Sequence, residues 1–191
     1  MATELCRTIA YESVRRGARS NVHELWAALE RVDDLGPRLI VDIGSGPAVW
    51  FAWWSMGSAV IGVSHPDDLG QVAAFSRDRL PSAVVGLSGD QRERSTRLRV
   101  RDQVAKRLVD VLVLAGIGTE DVMRAAWGMY GPLVRDGGLV LVHGIADRRT
   151  PGVGQFWRAL IGDGRKELIG RDDPIGYGIM EIHRRGVAGH G

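Results

Sequence analysis

The chain has one cysteine, Cys6, which excludes an intramolecular disulfide and any multi-cysteine metal site. It has almost no excess charge. A formal net charge of +2 over 191 residues gives no argument for a nucleic-acid or membrane partner. No apolar run approaches the length of a membrane span. The first residues, Met1 to Arg7, lack the apolar core of a signal peptide, so a cytoplasmic protein is expected. There is no repeat, low-complexity tract or sign of a second domain. What is present is a balanced composition, 45% hydrophobic and 25% charged, as in ordinary soluble globules. The length allows one domain with a sizeable core. That domain is expected to span 1–191, with an N-terminal helical segment over 1–36 and a flexible tail over 184–191.

The stretch Leu39-Ile-Val-Asp-Ile-Gly-Ser-Gly46 organises the rest. Its apolar run suits a strand covered on both faces, ending in an acid and a glycine turn. Gly44 and Gly46 permit a sharp turn and a close approach to the backbone. Pro47 to Met56 reads as a helix whose first amides point at whatever sits over that turn. Strand, turn and helix together make a nucleotide-type site.

The pattern repeats along the chain. Residues 3–17 read as weakly helical, and a first amphipathic helix runs from Asn21 to Val32, with Glu24 three residues after Asn21 as a start signal. Further strands are expected at Ala59–Val63, Ala83–Leu87, Val109–Leu114 and Gly138–His143. Helices are expected at Pro66–Leu80, Arg94–Leu108 and Thr119–Tyr130, with another on the stripe Val153 to Ile161. Glu167–Gly170 and Tyr177–His183 read as a closing hairpin. Alternating strands and helices imply a parallel sheet with helices on both faces. Ligands then bind at the carboxyl ends of the strands, where strand order reverses.

In these landmarks the chain resembles class I S-adenosylmethionine-dependent methyltransferases over residues 20 to 183. Asp42-Ile-Gly44-Ser45-Gly46 resembles the family's glycine motif, and Leu133-Val-Arg-Asp-Gly137-Gly138 its turn into the fifth strand. Gly89-Asp90, the loop 115–119 and His143-Gly144 resemble landmarks of the branch that holds small O-methyltransferases and cephalosporin-hydroxylase-like proteins. The resemblance implies a Rossmann-like doubly wound α/β sheet of seven strands, order 3-2-1-4-5-7-6, with the last strand antiparallel. It implies S-adenosylmethionine as cofactor and a cofactor site at Asp42, Gly44, Ser45, Gly46, Ser64, Asp90 and Ala115. Asp42 would act through the loop or a water, and Asp90 would accept from the adenine amino group. Asp42 also reads as a strand-end turn residue and Asp90 as a helix cap. His143 is the candidate base, or a histidine hydrogen-bonded to a neighbouring loop.

The departures bear on activity. Ser64 stands where most members carry an acid for the ribose; Asp67 and Asp68 follow, but they also suit a helix start. Ala115, Gly116, Ile117 and Gly118 occupy the loop where metal-dependent members carry ligands, and Gly144 stands where an acid is expected, so no metal site of the family type is expected. Thr119-Glu120-Asp121 reads as an ordinary helix start. Trp50, Trp53 and Trp54 line an acceptor pocket together with Trp26, pack a large helix face, or support a homodimer. Arg148 and Arg149 meet an anionic acceptor or are solvated. The basic run from Arg92 to Arg107 reads as a solvated face, since Glu93 and Asp102 interrupt it and no aromatic interleaves. The expected function is metal-independent methyl transfer to a small-molecule acceptor, with neither nucleic acid nor membrane as partner. The alternative is a catalytically inactive methyltransferase-like partner protein. A nicotinamide-dependent oxidoreductase fits less well, because Val49 stands where the dinucleotide fingerprint wants glycine.

Overall fold

Strand β1 (Leu39–Ile43) is buried along its whole length, as an apolar run between two layers must be. The computed structural model describes residues 2–65, 82–116, 118–160, 165–171 and 174–183. The other strands are β2 (Ala59–Ser64), β3 (Val84–Ser88), β4 (Val109–Leu114), β5 (Val134–His143), β6 (Lys166–Leu168) and β7 (Tyr177–Glu181). They form one seven-stranded sheet in the order β3-β2-β1-β4-β5-β7-β6. Neighbours from β3 to β5 are parallel, and β7 runs antiparallel to both β5 and β6. This is the Rossmann-like methyltransferase topology that the resemblance implied.

Alternation along β1 sorts its side chains to two faces. Ile40 joins a core with Ile9 of α1 (Ala2–Arg15), Leu25 and Leu29 of α2 (Val22–Leu35), and Trp50 and Trp53 of α3 (Pro47–Ser55). Leu39, Val41 and Ile43 join the opposite core, with Val100 of α4 (Arg94–Val104), Met123 of α5 (Glu120–Tyr130), and Phe156 and Trp157 of α6 (Pro151–Ala159). The register of β1 is pinned at its start by Asp110 of β4, whose carboxylate accepts from Arg38 N at 2.8 Å and Leu39 N at 2.9 Å.

Helix starts follow local chemistry. Asn21 Oδ1 accepts from His23 N and Glu24 N, and Gly36 closes α2 at φ +60°. Pro47 and Pro151 occupy first turns. Thr119 caps α5, and Glu120 pairs with Arg124 one turn on, so that stretch is a helix start. The segment expected to be weakly helical is a full helix, α1, because Cys6, Ile9 and Ala10 pack into the core. The tryptophans pack rather than line a pocket. Trp50 and Trp53 are fully buried, and Gly62 of β2 leaves no room for a Cβ beside the Trp50 indole. Trp54 is half-buried on the same core, and Trp26 donates to Glu30 at 3.0 Å. Neither Trp50 nor Trp53 leaves an indole face for a second copy. The basic helix face is open to solvent at Arg94, Leu98, Arg99 and Arg101.

The two largest departures from the expected boundaries are at β5 and α4. β5 begins at Val134 rather than Gly138, because Val134 already pairs with Val109 before the register shifts at Val111. Gly137, at φ +67°, and Gly138, whose Cβ would come 2.8 Å from Asp110 O, make that irregular entry sterically feasible. α4 stops at Val104 rather than Leu108 because Ala105 adopts φ +54°, the one non-glycine positive φ among the described residues. The helix expected at Pro66–Leu80, with Asp67 and Asp68, and the tail from Arg184 lie outside the described residues. No described helix is long and apolar enough to cross a membrane.

Ala105 holds a conformation that favours glycine. Ala105→Gly is expected to raise stability by roughly 1 kcal/mol, read as a higher urea midpoint at unchanged slope.

Candidate functional site

Strand order reverses between β1 and β4, so the loops that leave them diverge and open a crevice. A cavity of about 820 Å³ lies there. Its wall takes Gly44 and Ser45 after β1, Val63 and His65 at the end of β2, and Gly89, Asp90, Gln91 and Arg92 after β3. Ala115, Gly116, Thr119 and Val122 follow β4; His143, Gly144, Asp147, Arg149 and Thr150 follow β5; Arg19 and Ile175 complete it. Of the expected cofactor residues, Gly44, Ser45, Asp90 and Ala115 lie on this wall, as does His143. Asp42, Gly46 and Ser64 lie outside it.

The glycine turn has steric reasons for its composition. Gly44 sits at φ +97°, and a Cβ there would run into the Ala115 carbonyl. Gly44 N donates to Val63 O at 2.9 Å, and Ala115 N to Ile43 O at 2.8 Å, so three loops share one fixed point. Gly116, at φ +110°, packs on Gly44. Gly46, at φ +88°, begins α3 without a side-chain cap. Gln91 lies over the turn, its Oε1 about 3.5 Å from where a Gly44 Cβ would stand.

Asp42 is fully buried beneath the turn. By strand alternation it faces the α1–α3 layer with Ile40. Its Oδ1 accepts from Ser45 N at 3.1 Å and its Oδ2 from Trp53 Nε1 at 2.8 Å. Burial pushes its pKa up to about 6, against the pull of the Trp53 and Ser45 hydrogen bonds. Trp53 is thus a site-building residue that the sequence presented only as an aromatic on a helix face. Both sit on the same layer by periodicity, which is the signal that would have paired them.

Asp90 is held by Arg92 through the guanidinium, at 3.0, 3.1 and 2.5 Å, and through the backbone amide at 2.8 Å. These bonds keep its pKa low, at about 2. Asp147 is held in the same way by Arg149, at 2.9, 3.2 and 2.9 Å, which likewise lowers its pKa. Arg148 is exposed and off the wall.

His143 ends β5, its ring 4.5 Å from that of Tyr177 and tilted by 32°. Its Nε2 is buried with no hydrogen-bond partner, so it does not tie a neighbouring loop. Burial pushes its pKa down to about 4, opposed by nearby Asp147. The imidazole is therefore neutral at physiological pH. The Ser45 and Ser64 hydroxyls are also buried without partners.

Glu24 does not close a capping box with Asn21. Its buried carboxylate instead accepts from Gly170 N at 2.6 Å, Gly176 N at 2.8 Å and Ile175 N at 3.3 Å. Gly144 N and Ala146 N in turn donate to Gly176 O and Ile175 O at 2.8 and 2.9 Å. α2 thereby fixes the β5 side of the cavity through Gly176, 152 residues away in sequence.

No family model matches the sequence, and no curated protein matches it. Solved structures match its fold. The O-methyltransferase TomG from Streptomyces achromogenes, involved in tomaymycin synthesis and solved with S-adenosylmethionine, is 15% identical at a TM-score of 0.61, over 94% of this chain and 90% of that one. The methyltransferase MycE of the mycinamycin pathway, solved with magnesium and S-adenosylhomocysteine, is 15% identical at a TM-score of 0.65, over 95% of this chain and 56% of that one. An rRNA methylase from Streptococcus thermophilus is 12% identical at a TM-score of 0.57, over 81% of this chain and 95% of that one. The chain shares the fold of these methyltransferases.

Asp42 carries a pH signature. Its folded pKa lies above its unfolded one, so its contribution is fully present below the usual 3.8 and is lost as pH rises through about 6. Wild type should therefore gain stability over Asp42→Asn as pH falls from about 7 towards 4, by up to roughly 3 kcal/mol. Urea unfolding of both proteins at either end of that range checks it. A pH-independent difference contradicts the burial of a titrating carboxylate.

Proposed function

We propose that the chain is a class I S-adenosylmethionine-dependent methyltransferase that acts on a small molecule and needs no metal ion. The cavity at the strand-order reversal, floored by the bare backbone of Gly44 and Gly116, carries this reading. Its volume of about 820 Å³ falls within the range of roughly 300–1,000 Å³ for ligand sites. The polar groups on its wall suit the cofactor: backbone at the glycine turn and an ionised carboxylate at Asp90.

When bound, S-adenosylmethionine supplies an electrophilic methyl group. Gly44 and Ser45 would hold its methionyl end, with Gly46 setting the direction of the α3 amides. Asp42 shapes the turn from below. Asp90, with three Arg92 donors on its two oxygens, would have one lone-pair site to offer the adenine amino group. Ser64 ends β2 off the wall, while Val63 and His65 lie on it, and Ala115 packs against Gly44. His143, neutral and on the wall, is the group to orient the acceptor and take its proton. A base this weak gives modest help, so positioning carries most of the catalysis.

Metal independence is supported by the ligands themselves. Hard divalent cations want several oxygens, yet the described loop after β4 offers Ala115, Gly116 and Gly118, and position 144 is glycine. Asp90 and Asp147 are already engaged by arginines. No metal-ligand cluster of three His, Cys, Asp or Glu occurs among the described residues. The small net charge of +2 supports a small molecule over nucleic acid as acceptor.

Calorimetric titration with S-adenosylmethionine and S-adenosylhomocysteine, with and without magnesium, tests this reading. Micromolar binding indifferent to magnesium is expected. Asp90→Ala should weaken S-adenosylhomocysteine about tenfold, as loss of one charge-assisted hydrogen bond does. Absence of binding at millimolar cofactor would replace this reading with that of an inactive relative.

A further inference from the structure

We infer that the methyl acceptor carries an anionic group, a carboxylate or a phosphate ester, and that Arg19 selects it. The inference rests on the methyl-transfer reading and adds the class of acceptor. Three arginines reach the cavity wall, Arg19, Arg92 and Arg149. Arg92 is consumed by Asp90 and Arg149 by Asp147, each through several hydrogen bonds. Arg19 is exposed and has no hydrogen bond, ion pair or ring contact among the described residues. With Arg92 and Arg149 closed on their carboxylates, Arg19 is the wall arginine without a partner among the described residues.

The backbone that carries Arg19 is fixed. It lies in the connection between α1 and α2, next to the buried Ser20. The Ser20 hydroxyl lies 3.3 Å from the Tyr177 hydroxyl, and the Tyr177 ring stacks on His143. Asn21 caps α2 immediately afterwards. Arg19 therefore stands on the His143 side of the cavity, on an anchored segment with a free side chain. A guanidinium is always charged, and its planar fork matches carboxylate and phosphate oxygens two at a time. An anion bound there would meet that fork without having to break an existing pair, which it would have to do at Arg92 or Arg149.

The test uses the full chain, wild type and Arg19→Gln, saturated with S-adenosylhomocysteine. Benzoate and phenyl phosphate are titrated against benzyl alcohol, which has the same ring and no charge, by ligand-observed NMR. In the wild type at least one of the anions should bind about tenfold tighter than the alcohol, as one desolvated charge pair allows. Arg19→Gln should erase that preference, Arg19→Lys should keep part of it, and S-adenosylhomocysteine affinity should change less than about twofold. Equal binding of all three probes, no binding of either anion, or an anion preference that survives in Arg19→Gln overturns the inference. So does a parallel loss of S-adenosylhomocysteine affinity, which would assign Arg19 to the cofactor's own carboxylate. If the wild type binds no S-adenosylhomocysteine, the methyl-transfer reading fails separately. The same titrations without it then decide whether Arg19 is an anion site.

Discussion

The glycine turn over β1 stands on a buried carboxylate. Asp42 is placed by strand alternation on an otherwise apolar face, where an unpaired charge would be costly. The cost is met by the Trp53 indole and the Ser45 amide. These two bonds join strand, turn and helix at the point where two of the turn's three residues are glycine. Trp53 sits in the second turn of α3, so its bond to Asp42 sets the helix against the sheet. Trp50, one turn back, then meets the bare backbone of Gly62 in β2. Gly44, held in place, meets the Ala115 carbonyl and carries the β4 loop with it. Much of the wall geometry on this side thus follows from one acid and one indole.

A second buried carboxylate does the same on the other side. Glu24 reaches three backbone amides of the segment before β7, and that segment holds the loop after β5. Neither Asp42 nor Glu24 faces the cavity. Both satisfy backbone amides that are buried or partly buried, the buried Gly176 amide being worth about 1–3 kcal/mol if left open. The cavity is shaped by acids behind its wall, which leaves the wall free to present other chemistry.

What could be read from the sequence divides along the same line. β1, its glycine turn and the alternation of strands and helices come from local patterns that tertiary structure reinforces. The strand order came from resemblance, and the structure has it. The boundaries that moved furthest are where backbone geometry overrides pattern, at the irregular start of β5 and at Ala105. Glu24 sits where a capping box predicts a local bond, yet it spends its carboxylate 146 residues away; no local rule contains that. Trp53 was visible as an aromatic on α3, but its partner became evident only once β1 and α3 were stacked. On the wall, Gly44, Ser45, Asp90, Ala115 and His143 were legible from motif and position. Gln91 and Arg19 were not, because a lone polar residue in a loop carries no period and no spacing.

The charge pattern of the wall argues for how such a site works. Asp90 with Arg92 and Asp147 with Arg149 are ion pairs closed on themselves, in loops whose backbone also binds the acids. Closed pairs present fixed dipoles rather than net charge, and they resist capture by stray cations because each carboxylate already has its donor. His143, kept neutral by burial, adds a lone pair and no charge. A reaction that proceeds mainly by holding two partners in line gains most from fixed, pre-oriented groups of this kind. Recognition of the second partner then falls to whatever group on the wall is not already paired. Among the arginines of the described wall that group is Arg19, on a backbone anchored through Ser20 and Tyr177.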